Sequence, residues 1–565
     1  MEFRTSRTFR TTGGRVRGRD ADAGRGVGPG AGVTAVLGIP YAAAPFGPRR
    51  FRAPQTAASW DGVRECTAFG PISPQSAELP GAPVWRPGDE DILTVNVWTP
   101  PHADGLPVLF WIHGGAYTFG SSAEPGFDGA ALARAGLVVV SCNYRVGFEG
   151  FGHVPGFPDN RGLLDQLSAL RWVRDNISAF GGDPGQVTVA GHSAGAGSAV
   201  CLMAMPAARG LFRRVIAHSV PSVTYTRGLA AAISERIAAQ AAVAPTAEGL
   251  LSAPPAQLVA AADRLASNSL TAPLPPGGAT ASTASTASTA SMGATAPTAS
   301  SGATAPTASS GATAPTAPAG ATTPSAPVAA IHAYDPVLFQ PVVDGEVLAA
   351  EPLASLAAGA AREVDLLVCH TSEETTFLHA VGAIREVATE PELAFFAAAL
   401  GLPDPDRVLD GYRTLMPQSP PLDRYLALFG DARFAEYTTR LAEQHARAGG
   451  RAYASRFTRR RDGARPWHTA DIPFAFGNLD AVGAAFLIGG APDAEDRALS
   501  TRMQQAWASF ATTGDPGWPP LSADATPVRQ WAVPTDHLTS DETSPLRELW
   551  RDVPYDVLRP RTLRV

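Results

Sequence analysis

The most direct sign of chemistry in this 565-residue chain is a serine flanked by residues without bulk. Gly191-His192-Ser193-Ala194-Gly195 follows the apolar run 187–190 and leads into a helix-forming run, 194–204. A serine between strand and helix sits on a strained turn, so the positions two residues to either side must lack side chains. The helix N-terminus then lends positive potential to an oxyanion forming on an attacked carbonyl. The pentapeptide alone is weak, because a chain with 56 glycines produces such strings by chance. Its strand–turn–helix setting makes it specific.

A second signal lies about eighty residues earlier. His113-Gly114-Gly115-Ala116 directly follows the apolar run 108–112. Small residues there let backbone N–H groups approach a carbonyl oxygen, completing a cradle with the N–H of Ala194. A nucleophilic serine also needs a base, and the base needs an orienting carboxylate, in the chain order serine, acid, histidine. The histidines after Ser193 are His218, His332, His370, His379, His445, His468 and His537. His445 lies mid-helix and is expected at the surface, and His332 borders a low-complexity tract. His468 lies in a loop after the strand-like run 452–457, where a late histidine of this kind belongs. For the acid, the run ending at Cys369 is followed by Thr371-Ser372-Glu373-Glu374, and the residues themselves do not choose between Glu373 and Glu374.

These residues need a scaffold, and the hydrophobic pattern supplies one. The runs 108–112, 137–142, 187–190 and 364–368 are almost wholly apolar, as strands buried on both faces are. Between them, Leu163, Leu167, Leu170, Val173 and Ile177 follow helical spacing, with Gly181-Gly182 as a stop. Alternating strand and helix predicts an α/β fold, a mostly parallel twisted sheet with helices on both faces. Short runs and Gly/Pro turns over 15–65 predict a small N-terminal antiparallel sheet. A long helical region is expected around 388–448. A terminal helix should follow, with Leu499, Met503, Ala506 and Phe510 on one face.

The tract 272–328 differs in kind. It holds Ser-Thr-Ala triplets and a nine-residue repeat, Gly-Ala-Thr-Ala-Pro-Thr-Ala-Ser-Ser, starting at Gly293 and Gly302. With almost nothing large and apolar to bury, it is expected to be a disordered insertion within one domain spanning 1–565. Composition also excludes classes of function. The net charge is −7, without the basic footprint of nucleic-acid binding. All 45 basic residues are arginine, so there is no Schiff-base lysine, Walker-A lysine or Ser–Lys dyad. Cys66, Cys142, Cys201 and Cys369 form no zinc-type cluster, and the last three read as small core residues. The arginine-rich segment 1–20 has no signal-peptide apolar stretch, and no run is long enough to span a bilayer. A cytoplasmic location is expected, with a non-standard export route left open.

Many further residues carry a family resemblance. Gly38-Ile39-Pro40-Tyr41-Ala42, Phe69-Gly70-Pro71, Asp91 and Asn96-Val97-Trp98 precede the 113–115 loop. Asn143-Tyr144-Arg145-Val146-Gly147 follows it, then Leu163-Leu164-Asp165-Gln166 and Phe180-Gly181-Gly182-Asp183-Pro184. His468-Thr469-Ala470-Asp471-Ile472-Pro473-Phe474 and Gly514-Asp515-Pro516 come late. With these the chain resembles the type-B carboxylesterases, the group of para-nitrobenzyl esterases, carboxylesterases and cholinesterases, over nearly its whole length except 272–328. The resemblance implies the α/β-hydrolase fold and hydrolysis of small carboxylic esters through an acyl-enzyme. It implies Ser193 as nucleophile, His468 as base, Glu374 as acid, and Gly115, Ala116 and Ala194 as oxyanion donors. Ser219, His192 and Tyr117 are candidates for a supporting shell or the pocket. No metal or cofactor is implied; the expected partner is a small ester, with no nucleic acid, no membrane span and a monomeric state.

Four departures stand out. His192 replaces a usual glutamate, Thr375 a glycine after the acid, and Val220-Pro221-Ser222 a segment where glycine is common. The family's disulfide positions fall on Ser73 and Ile92, so that bridge is absent, which fits a reducing compartment. Acyl transfer to another alcohol or amine would use the same residues, and a non-catalytic binding role is the remaining alternative. A chain in which a short flexible linker replaces 272–328 should keep its melting temperature within a few degrees of the parent's, as measured by differential scanning fluorimetry.

Overall fold

The computed structural model describes residues 7–21, 32–76, 84–271, 334, 337–461, 463–541, 544–551 and 553. The tract 272–328 and His332 lie outside them. In chain order the strands are β1 (Thr8–Arg10), β2 (Arg15–Arg17), β3 (Arg19–Asp20), β4 (Thr34–Pro40), β5 (Val63–Glu65), β6 (Thr94–Thr99), β7 (Leu106–Ile112) and β8 (Val138–Cys142). They continue with β9 (Gly182–His192), β10 (Arg214–His218), β11 (Tyr225–Thr226), β12 (Val342–Val343), β13 (Asp365–Thr371), β14 (Ala452–Phe457), β15 (Pro527–Trp531) and β16 (His537–Ser540).

Eleven of these form one sheet in the order β16-β15-β14-β13-β10-β9-β7-β8-β6-β4-β3. From β8 to β15 every neighbouring pair is parallel, and the outer strands on both sides pair antiparallel. The apolar runs became strands because both of their faces are covered. Along β7, Val108, Phe110 and Ile112 point into one core, while Leu109 and Trp111 point into the other. The first core takes Leu163, Leu167, Leu170 and Val173 from the helix Arg161–Asn176. The second takes Leu499, Met503, Ala506 and Phe510 from the helix Ala494–Thr513. That helix starts at a capping box between Asp493 and Asp496 and stops at Gly514, whose φ of 78° suits glycine.

Three expectations need correction. The small N-terminal sheet, β1-β2-β5, is mixed: β1 and β2 pair antiparallel, but β2 and β5 pair parallel. β5 returns only after the chain has supplied β3 and β4 to the large sheet, and such a crossover, unlike a hairpin, permits parallel pairing. The helix Ala494–Thr513 is not terminal, because β15, β16 and the helix Pro545–Arg551 follow it. β16 is short and largely exposed, so its residues carry little hydrophobic pattern. His445 is fully buried, not superficial. It shares the inward face of the helix Glu436–Arg447 with Tyr437 and Leu441, and its Nε2 donates to the Val364 carbonyl at 2.8 Å. Spacing of four residues along that face could have revealed it.

The loops above the sheet are tied down by buried arginines. Arg145 makes a two-pronged bond to Asp165, at 2.8 Å from Nε and 2.7 Å from Nη2, and donates to the Arg52 carbonyl at 2.8 Å. Both partners are essentially solvent-free. Asp165→Leu should therefore destabilise the protein by about 3–5 kcal/mol in urea denaturation, because Arg145 would keep a buried, unpaired charge.

Candidate active site

β9 ends at His192, and the helix Ala194–Ala204 begins two residues later. Ser193 bridges them with φ 55° and ψ −124°, a strained conformation for a residue with a side chain. Its amide donates to the carbonyl of His218 at the end of β10, at 2.8 Å. The glycines of the motif allow the turn. A Cβ on Gly191 would lie 2.4 Å from the backbone of Gly195, and one on Gly195 would lie 2.0 Å from the Ile112 carbonyl oxygen. The helix therefore begins directly against the end of β7.

The loop after β7 is equally constrained. Gly115 has φ 111°, and a Cβ there would stand 2.1 Å from the Phe119 carbonyl oxygen. Ala116 and Tyr117 follow with φ of 51° and 57°. Among the described residues, nothing accepts a hydrogen bond from the N–H of Gly115 or Ala116. His113 anchors the loop. Its ring stacks on Tyr144 at 4.4 Å, and the Tyr144 hydroxyl donates to its carbonyl at 2.8 Å. Burial lowers the His113 pKa to about 4, which keeps the ring neutral. Asn143 holds the far side of the loop, accepting from the N–H and hydroxyl of Ser122 and donating to the Pro71 carbonyl.

Glu374 and His468 meet. His468 Nδ1 donates to Glu374 Oε2 at 2.6 Å, leaving Nε2 as the unprotonated edge of the neutral imidazole. The second carboxylate oxygen of Glu374 accepts from the Ser219 hydroxyl at 2.7 Å and from the Thr371 amide at 2.8 Å. Both residues are buried. Glu373 faces elsewhere, forming ion pairs with Arg460 and Arg465. Glu374 opens the helix Glu374–Ala380 while Glu373 only caps it, so neighbouring carboxylates diverge. Thr375 is accommodated: its hydroxyl donates to the Leu426 carbonyl.

The other sequence candidates separate clearly. His192 is buried, with its ring 4.5 Å from that of His468, and Phe434 packs on His468 at the same distance. Burial, with His468 beside it, holds the His192 pKa well below its usual value, so the ring is neutral. Tyr117 lies beneath the helix Ala194–Ala204 against Phe151, with its hydroxyl filling the space a side chain at Gly197 would need. His218 is buried and bonded to Asp471, a partnership the sequence reading missed. His370 is buried against the Thr371 carbonyl, and His379 and His537 lie away from this cluster, in the helix Glu374–Ala380 and in β16. All four cysteines are free and buried.

A model of the carboxylesterase family matches residues 5–276 and 322–540. The chain belongs to the carboxylesterase family. It is similar to the para-nitrobenzyl esterase of Bacillus subtilis (strain 168), at 33% identity over 513 residues, covering 86% of this chain and 89% of that one. Over 199 residues it is 46% identical to the phenmedipham hydrolase of Pseudarthrobacter oxydans, covering 34% and 40% of the two chains. Among solved structures, a thermophilic para-nitrobenzyl esterase superposes with a TM-score of 0.76 at 29% identity, covering 96% of this chain and all of that one. The Geobacillus stearothermophilus carboxylesterase gives 0.72 at 30%, covering 96% and 99%. This carboxylesterase has the α/β-hydrolase fold and acts on carboxylic ester bonds. Among its described residues, no helix is long and apolar enough to cross a membrane.

The packing of the esterase's helix start against β7 yields a sharp expectation. Gly195→Ala must separate the two backbones, and a displacement of about 1 Å at the reacting groups costs on the order of 100-fold in rate. Turnover of p-nitrophenyl acetate should fall by at least that factor, with a melting temperature several degrees lower.

Proposed function

We propose that the esterase works by two-step acyl transfer with Ser193 as nucleophile, His468 as base and Glu374 as the acid that orients it. The 2.6 Å bond between His468 Nδ1 and Glu374 Oε2 carries this reading. It fixes the tautomer in which Nε2 is free to take a proton, and it stabilises the imidazolium that results. Ser193 Oγ attacks the ester carbonyl as its proton passes to His468. The tetrahedral oxyanion is held by the N–H groups of Gly115, Ala116 and Ala194. His468 returns its proton to the departing alcohol, and the acyl group stays on Ser193. Water, deprotonated by His468, then attacks the acyl carbonyl and releases the acid. Every step is a proton transfer or an acyl transfer, so none calls for a metal or cofactor.

The substrate class follows from the relatives and the chemistry: small neutral esters of the kind p-nitrophenyl acetate represents, with phenmedipham as a second probe because a relative carries that name. The neutral, enclosed His192 places no negative charge beside the triad, which argues against selection of cationic esters. The protein acts as a monomer in the cytoplasm on this reading, with 272–328 as an insertion within a single domain.

Ser193→Ala should lower p-nitrophenyl acetate turnover by more than about 1,000-fold while leaving circular dichroism and melting temperature unchanged. Labelling by a fluorophosphonate probe should vanish in the same variant. A Ser193→Ala protein that keeps a tenth of the parent's turnover would exclude this serine. His468→Ala should match the loss, and Glu373→Gln should leave the rate within about twofold, since its carboxylate faces arginines at the surface.

A further inference from the structure

The dipeptide His218-Ser219, at the end of β10, touches each arm of the proposed triad. Its first carbonyl accepts the amide of Ser193 at 2.8 Å. Its serine hydroxyl donates to Glu374 Oε1 at 2.7 Å. Its imidazole Nδ1 donates to Asp471 Oδ2 at 2.5 Å, and Asp471 lies three residues beyond His468, at the start of the helix Ile472–Phe476. The dipeptide is itself held in place. The Ser219 amide donates to the Cys369 carbonyl at 2.7 Å, and the His218 ring meets Trp507 edge-on at 5.2 Å.

We propose that His218 and Asp471 are positioning residues: a second, buried histidine–carboxylate pair that ties the turn carrying His468 to the strand end that holds Ser193 and Glu374. The inference rests on the triad reading above. Without the pair, the His468 turn would still bond to the segment after β13, through the His468 amide to the Glu374 carbonyl at 3.3 Å, the Glu373 amide to the Pro466 carbonyl at 3.0 Å and the His468 ring to Glu374. It would also bond to the Leu487 carbonyl through the Trp467 indole at 2.9 Å, but none of these ties reaches β10. With it, the nucleophile, acid and base are all referred to one rigid point on the sheet. Groups on two loops can then keep the sub-ångström register that acyl transfer demands.

Two features show that the pair is a built element. His218 and Asp471 are essentially without solvent exposure, so their mutual bond is not a surface accident. Burial pushes the Asp471 carboxyl upward, but the charge and hydrogen bond of His218 more than offset it and leave the carboxyl below its usual range. Cys369 Sγ lies close enough that His218, Cys369 and Asp471 could be imagined around an ion, with donor atoms within 4.8 Å of one another. The 2.5 Å between histidine and carboxylate argues otherwise. Two ligands on one tetrahedral ion with bonds of about 2.1 Å stand about 3.4 Å apart, so these two groups are bonded to each other.

The test separates positioning from stability. His218→Phe strands a buried carboxylate and should lower both melting temperature and kcat, or fail to fold. His218→Phe combined with Asp471→Leu removes both polar groups. It should recover a melting temperature near the parent's, while kcat for p-nitrophenyl acetate stays about 30- to 100-fold down and KM changes less than about threefold. His218→Asn, whose amide can replace the Nδ1 donor, should restore kcat to within about fivefold. A double variant with the parent's melting temperature and the parent's kcat overturns the proposal, as does a His218→Asn protein that folds normally but is as slow as the double variant. Ser193→Ala, measured alongside, keeps the two readings apart. If it stays active, the triad assignment has failed; if it is inactive while the double variant is fast, only the positioning role has failed.

Discussion

The carbonyl oxygen of Ile112 stands 2.0 Å from where a side chain on residue 195 would begin, and the site is organised around that approach. It brings the first turn of the helix Ala194–Ala204 onto the end of β7. The loop after β7 also runs against the serine turn, since a Cβ on Gly114 would lie 2.9 Å from the His192 carbonyl oxygen and 3.3 Å from Ser193 Cβ. The cost is local strain: Ser193, Ala116 and Tyr117 all adopt positive φ. Parallel pairing of β7, β9 and β10 holds the strained segments in place, with cores packed on both faces of the sheet. A serine turn of this shape would relax if it were not clamped between a strand and a helix that are each over-determined by packing.

Where chemistry and packing both leave marks on nearest neighbours, the sequence was readable. The apolar runs in β7, β8, β9 and β13 are covered on both faces, and those runs were visible as such, while β14 showed only as strand-like. The Ser193 turn and the 113–116 loop were visible because close backbone approach demands small residues there. Choosing between Glu373 and Glu374 took the family resemblance, since adjacent carboxylates look alike until the chain's direction at the helix start is known. The pairing of His218 with Asp471 joins residues 253 apart in sequence, and no local pattern encodes it. The signals that did exist were the place of His218 at the end of an apolar strand and of Asp471 three residues after His468. His445 shows the opposite failure, an inward face with legible spacing that a polar residue type obscured.

Arginine does much of the long-range tethering in a chain without lysine. Arg161 donates to the carbonyls of Phe148, Glu149, Gly152 and Pro158, gathering one loop around a single guanidinium. Burial and the neighbouring Arg145 lower its pKa to about 10, which still leaves it charged at neutral pH. Arg459 grips Asp496 with two bonds and the Ile488 carbonyl with a third, joining the segment after β14 to the helix Ala494–Thr513. A planar group with five donors can satisfy several scattered carbonyls at once, whereas an ammonium would leave some unpaired. The arrangement matters because the loops that carry His113 and His468 have little regular structure of their own to hold them.

The large sheet closes at one end in the two residues of β3 and at the other in the four of β16. An unpaired strand offers a row of backbone donors and acceptors on which another chain can grow, and the hazard rises with the length of that row. Here seven strands with buried faces are flanked by margins too brief to template a further strand. On one side the register also shifts between β4 and β6, at Val36 to Ile39. The strands β7, β9, β10 and β13, whose ends lead into the segments of the candidate site, are thus at least three positions from either margin. A core that would be dangerously adhesive if it reached the rim is insulated by its own least regular strands.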